Sequence, residues 1–250
     1  MPNECRALAH KIQDKHQPGR FASRFWKQQC HAVSAKQYHD LARELVWPMF
    51  KADLGACTEK NDTNPETQER TLTVHLRSDD MWKGLDGKKI PSDAVANHWL
   101  WQHPPCSLYE KVIAEEGFQH VLVVTSSDRL NPCVSWFEKR AMWSNYSVRV
   151  QSKTLLEDSC ALLRARNLFL SYSTFPESMA VLSLQVRRIF SRTQYQQYSA
   201  MDAHGWPGTS VEQYHVPIHE GHLGPYSNTM EGVRHWMLTY PASKITKHKP

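Results

Sequence analysis

Seven consecutive residues, 120–126 (HVLVVTS), constrain the fold of this chain more than any other stretch. A short, almost wholly apolar and β-branched run suits a strand covered on both faces, which is the mark of a parallel sheet. Three more strand-like runs accompany it, β-branched 71–76 (TLTVHL), 147–151 (SVRVQ) and 168–172 (LFLSY), the last again continuously apolar at its start. Helical stretches separate them. Residues 107–116 close at Gly117, residues 134–142 follow Asn131-Pro132, and residues 155–166 form a third. Residues 175–190 read as a fourth helix, with apolar Met179, Val181, Leu182, Leu184, Val186 and Ile189. Strands alternating with helices of this length predict βαβ units, hence an α/β fold: a Rossmann-like parallel sheet flanked by helices.

The flanks are less regular. Residues 34–50 predict an amphipathic helix through Leu41, Leu45, Val46 and Met49, and the polar stretch 55–70 reads as a linker or surface loop. The expected organisation is a short helical segment and linker over 1–70, then one Rossmann-like domain over 71–250. The tail from Thr193 leads through VEQYHVPIH to a last predicted helix at 229–238.

Hydrophobic residues make up 40% of the chain and charged residues 22%, as in an ordinary globular protein. A net charge of +5 falls well short of the dense basic stripe of a nucleic-acid binder, yet suits a small polyanion such as a nucleoside diphosphate. No run of 18 apolar residues exists, so no membrane span is expected. The opening MPNECRALAHKIQDKH is too polar for a signal-peptide core, so secreted relatives would imply a lost leader or a fragment. Six scattered cysteines without a C-x-x-C pair leave two readings open, free buried thiols or one to two disulfides in an oxidising lumen. Asn61-Asp62-Thr63 and Asn145-Tyr146-Ser147 are glycosylation sequons, a pair close to chance frequency.

Three polar patches sit where an open α/β sheet puts its ligand, at the carboxyl ends of strands. They are His75-Leu76-Arg77-Ser78-Asp79-Asp80, then Ser126-Ser127-Asp128, then Ser173-Thr174-Phe175-Pro176. In this order they resemble the fucosyltransferases of the GT-B type, most closely the α-1,2 group, over about residues 71–183. The first motif of that family runs His-x-Arg-Arg-Gly-Asp after a strand; His75, Arg77 and Asp80 match its first, third and sixth positions. The second is an apolar strand ending in Ser-Asp-Asp, echoed by VVTSSD with Asp128 last. The third is an aspartate, a Leu-rich helix, a strand and Ser-Thr-Phe; Asp158 precedes Thr174 by sixteen residues (174 − 158), as in the α-1,2 group.

The resemblance implies the carboxyl-terminal half of a GT-B fold with a remnant of the amino-terminal domain. It implies a metal-independent, inverting transfer of fucose from GDP-fucose to a glycan hydroxyl in the Golgi or secretory lumen. Donor binding would fall to His75, Arg77, Asp128, Asp158, Ser173, Thr174 and Phe175, with no cofactor or metal. Arg77 would neutralise the departing diphosphate with its forked charge. The start of the helix at Phe175 would offer amides to phosphate. Asp80, with Asp86 in reserve, would take the acceptor proton. The chain departs from the pattern at Ser78, which replaces the second arginine, and at Asp79, which replaces the glycine. That removes one bidentate phosphate contact and leaves two further readings, the same scaffold with another donor sugar or a non-catalytic nucleotide- or glycan-binding relative.

Ordinary roles compete at each position: a salt bridge for Arg77, a helix cap for Ser173-Thr174 and for Asp158, a core histidine for His75. His215, His219, Glu220 and His222 lack H-E-x-x-H spacing and Pro217 interrupts them, so metal binding is not expected. No P-loop, G-x-G-x-x-G or G-x-S-x-G occurs. The lack of Asp-x-Asp beside an apolar strand argues against a manganese-dependent GT-A enzyme.

Overall fold

The apolar runs form strands, and the order in which they pair creates a crevice. The protein is seen in a computed structural model that describes residues 40, 43–44, 47–59, 64–78, 82, 103–192, 208–217 and 229–248. Strands β1 (Thr71–Leu76), β2 (His120–Thr125), β3 (Ser147–Gln151), β4 (Asn167–Phe169), β5 (Arg188–Arg192), β6 (Ser210–His215) and β7 (Thr246–Lys247) form one sheet. Its order is β3-β2-β1-β4-β5-β6-β7. The first six strands run parallel, with Val74 level with Val123 and Phe169, and β7 is antiparallel to β6. From β1 the chain steps outward to β2 and β3, then returns to β4 on the other side of β1. That reversal is the topological switch point of a Rossmann-like, doubly wound sheet.

Seven helices are described: α1 (Trp47–Glu59), α2 (Pro65–Glu69), α3 (Cys106–Glu116), α4 (Pro132–Arg140), α5 (Leu155–Leu163), α6 (Thr174–Leu182) and α7 (Met230–Thr239). Their ends follow local chemistry. Gly117 closes α3 at φ 69°, a left-handed conformation that favours glycine. Asn131 caps α4 by accepting from the Cys133 amide at 3.0 Å, with Pro132 at the first helical position. Thr154 and Glu157 cap α5 reciprocally.

Alternation along the strands divides the core in two. Leu72, Val74, Leu76, Val121, Val123, Phe169, Phe190 and Tyr214 face α3, α4 and α7. Val124, Leu168, Leu170 and Ile189 face α1, α5 and α6. Two disulfides tie the layers, Cys57–Cys160 between α1 and α5 and Cys106–Cys133 between the starts of α3 and α4, with Cα separations of 4.9 and 5.3 Å. No described cysteine is free, which resolves the open choice for these four. Cys5 and Cys30 lie outside the described residues.

Three expectations need correction. The stretch 55–70 is not simply a loop: α1 continues to Glu59, and α2 follows an Asn64 cap. The helix expected over 34–50 is helical wherever it is described, at residues 40, 43–44 and from Trp47 onward. Trp47, Phe50, Leu54 and Cys57 set its buried stripe, with Lys51 and Asp53 exposed. The helix expected over 175–190 is two elements. The Ser183 hydroxyl accepts from the Gln185 and Val186 amides at 3.0 and 3.2 Å and ends α6. Arg188 then opens β5, so Ile189 and Phe190 are strand residues that happened to continue a helical spacing. The strand expected over 168–172 is shorter, since only Leu170 beyond it still bonds β5, through the Phe190 carbonyl at 2.9 Å. Strands β6 and β7 had no predicted counterpart. Lys247 ties β7 to its neighbours through Glu212, at 2.5 Å, and Glu116, at 3.2 Å.

Candidate functional site

The loops after β1, β2 and β4 come together at the carboxyl edge of the sheet. From β1 the backbone of Arg77 is held firmly, its carbonyl accepting from Asn131 Nδ2 at 2.9 Å and Trp82 Nε1 at 3.2 Å. The Arg77 side chain is half-buried. Next to it Ser78 is buried, and its hydroxyl donates to Asp128 Oδ1 at 2.6 Å while accepting from the Asn131 amide at 3.0 Å. The same Asp128 oxygen accepts from Ser126 Oγ at 3.1 Å and the Leu130 amide at 3.2 Å. Asp128 and Ser78 therefore knit the β1 loop to the β2 loop. Ser78 thus serves as a lock between the two loops.

His75 lies on the opposite face of β1 from Leu76, and is buried. Its Nδ1 pairs with Ser171 Oγ at 2.9 Å, and its ring meets Phe175 edge-on at 5.5 Å. Burial, with the Arg77 charge second, lowers its pKa from the ordinary 6.5 to about 3. The imidazole is thus neutral at physiological pH. It can orient a ligand or hold Ser171, but it cannot supply positive charge to a phosphate.

After β4, Ser173 caps α6 and its hydroxyl accepts from the Phe175 amide at 3.3 Å. Four amides at a helix start lack partners within the helix, and here they can be counted. The Ser173 amide donates to Ser171 O at 2.7 Å, Phe175 is capped, and Pro176 has no N–H. Thr174 holds the remaining first-turn position. The helix start offers an anion fewer donors than its sequence suggests.

Asp158 stands apart from this group. It is buried in the first turn of α5, accepting from Gln151 Nε2 at 2.9 Å and the Lys153 amide at 3.4 Å, so it fastens the end of β3 to α5. Two strand spacings, about 10 Å, separate β3 from β1. An extended nucleoside diphosphate covers such a span.

The structure thus brings together His75, Arg77, Ser173, Thr174 and Phe175 around the switch point, with Asp128 behind the β1 loop and Asp158 along the edge. Asp80 and Asp86 lie outside the described residues, as do His219, Glu220 and His222. Three participants were missed by sequence reasoning. Ser171 pairs with His75, Asn131 holds the Arg77 carbonyl, and Arg192 ends β5 fully buried, donating to Val216 O at 3.0 Å and lying 5.6 Å over the Trp236 ring. Asn131 carried a signal, the Asn-Pro pair, but it pointed only to a helix start. Arg192 was masked by the wrong helical reading of 175–190.

Among the described residues no group of three or more His, Cys, Asp or Glu is placed to hold a metal ion, and no helix is long and apolar enough to cross a membrane. No protein-family model, curated protein or solved structure matches the chain.

Proposed function

We propose that this chain is the nucleotide-sugar-binding half of a GT-B-type, metal-independent inverting glycosyltransferase that moves fucose from GDP-fucose to a glycan hydroxyl in the secretory lumen. The observation that carries the reading is the pairing, at one switch point, of Arg77 after β1 with the Ser173–Thr174 start of α6 after β4. Ligands of doubly wound sheets bind in that position.

In this reading Arg77 takes the charge that grows on the departing diphosphate. A preorganised guanidinium acts there without a metal's help. The Thr174 amide adds one donor at the α6 start, and neutral His75 steadies the loop through Ser171. Asp158, two strands away, meets the nucleoside end. A carboxylate must accept the proton of the attacking hydroxyl, and Asp80 is assigned that part on the motif alone. The two disulfides support a lumenal setting, because such bonds persist in oxidising compartments.

A second reading is favoured by specific contacts. Ser78, Asp128 and Asp158 are committed to internal hydrogen bonds, so the chain has fewer groups to spare for a ligand than the motif match implies. A relative that binds GDP without turning over GDP-fucose, or one that uses another donor, fits those contacts.

Thermal shift with a nucleotide panel tests the proposal. GDP at a hundred times its dissociation constant should stabilise the fold by about 2.7 kcal/mol, with UDP giving less. EDTA should leave the effect intact. A shift with UDP and none with GDP would remove the fucose donor. GDP binding that disappears with EDTA and returns with manganese would remove the metal-free mechanism. GDP binding without sugar transfer would select the non-catalytic reading.

A further inference from the structure

We infer that Asn145 is an N-glycosylation site and that the first sugar of its glycan packs on the exposed indole of Trp143. The inference draws on the lumenal setting proposed above, not on sugar transfer by the chain itself. Asn145-Tyr146-Ser147 meets the acceptor rule Asn-x-Ser, a pattern frequent by chance; the fold is what singles this one out.

The segment joins α4 to β3, at the amino-terminal edge of the sheet, opposite the candidate crevice. Asn145 is exposed, and no hydrogen bond engages its side chain among the described residues. The turn beneath it is well held. The amides of Ala141, Met142, Trp143 and Ser144 donate to the carbonyls of Phe137, Lys139 and Arg140 at 2.9 to 3.3 Å. Ser144 Oγ adds a bond to the Tyr146 carbonyl at 3.0 Å. A glycan there would displace no internal contact.

Two independent observations point to the same place. Met142 and Trp143 are 74% and 83% exposed, in the same turn and within three residues of the acceptor. Together they form a small apolar patch beside the acceptor. The electron-rich face of an indole suits the C–H face of a pyranose ring, and Trp143 precedes Asn145 by two residues, within reach of the first sugar. The two disulfides, for their part, fit the oxidising compartment in which this modification occurs.

The chemistry needs a polyprenyl-diphosphate-linked oligosaccharide as donor. Asn145 Nδ2 bonds to the anomeric carbon as the anomeric C–O bond to diphosphate breaks. The diphosphate leaves with the bonding pair, and the amide nitrogen gives up one proton to base.

The test directs the full chain into the endoplasmic reticulum of a eukaryotic cell with an added leader, and isolates the disulfide-bonded protein from cells and medium. Peptide mapping before and after peptide N-glycosidase in heavy-oxygen water reads Asn145 separately from Asn61. The expected result is a glycopeptide at Asn145 that becomes labelled aspartate after digestion and is lost in Asn145→Gln. An unmodified Asn145 peptide in the disulfide-bonded protein overturns the site. For the packing, the drop in Tm on deglycosylation should be smaller in Trp143→Ala than in the parent; an equal drop overturns that part. A GDP shift measured on the same sample reports the sugar-nucleotide reading separately, so the two can fail independently.

Discussion

Ser78 shows how a single side chain changes the chemistry available at a strand end. In the proposed diphosphate site a second arginine here would add another fork; a buried hydroxyl instead joins Asp128 to Asn131, which on that reading leaves the electrostatic load to Arg77. If it holds the outer phosphate, Arg77→Ala should weaken GDP binding by roughly 1.5–3 kcal/mol, about ten- to a hundredfold, and GMP binding less. The fold should persist, because Asn131 and Trp82 grip the Arg77 carbonyl, which any residue there supplies. Arg77→Lys should recover only part of the loss, since a point charge lacks the fork. Isothermal titration distinguishes these outcomes; an Arg77→Ala protein that unfolds yet binds GDP normally per folded molecule would make Arg77 structural. His75 predicts a pH effect of definite sign. The unfolded chain takes up its proton below about 6.5, whereas the folded one resists until about 3. Its contribution to stability is complete above pH 6.5 and is lost as pH falls toward 3. Unfolding free energies from urea titrations across that window should therefore fall less steeply for His75→Gln, by at most about 1.4 kcal/mol per pH unit. Identical slopes would mean that His75 is protonated in the fold.

At the scale of elements, α1 depends on its tie to α5. It lies on the outer side of α5, held by Leu54, Phe50 and Trp47, by Cys57–Cys160, and by Arg164 Nε donating to Cys57 O at 2.5 Å. Replacing Cys57 and Cys160 by serine should cost about 2–4 kcal/mol, the usual range for a native disulfide. Hydrogen exchange should rise first in α1 and leave β1, β2 and β4 protected; uniform loss of protection would show that α1 is integral to the sheet core. The strands were legible because β2 is almost wholly apolar, as suits a covered parallel strand, and β1 is rich in β-branched residues. The end of α6 was not. Val186 and Ile189 continue a spacing of four and three from Leu182, and what breaks the helix is a serine hydroxyl folding back on two amides. Periodicity cannot register such a bond. Likewise the Ser-Thr-Phe motif was readable as a helix start, while the amide count that limits it needed Ser171 O, which only the folded turn reveals.

The whole molecule is a doubly wound sheet whose candidate site is a seam between two differently built banks. On one bank, the loops after β1 and β2 are joined by Ser78, Asp128 and Asn131, and the helices behind them by Cys106–Cys133. Opposite, the turn after β4 meets β1 through the His75–Ser171 pair and the Phe175 ring. The position of the seam was predictable, because motifs at three strand ends converge only if β1 and β4 are neighbours. Its asymmetry was not, since it arises from contacts between residues 27 or more apart in sequence. GDP should accordingly slow amide exchange more over 171–177 than over 77–78 and 126–133; equal protection on both sides would contradict the picture. The Cys106–Cys133 bond then acquires a mechanical meaning. With that bank fixed, substitutions in the turn after β4 should change GDP affinity without disturbing the frame that carries the guanidinium, and titration of such variants tests this.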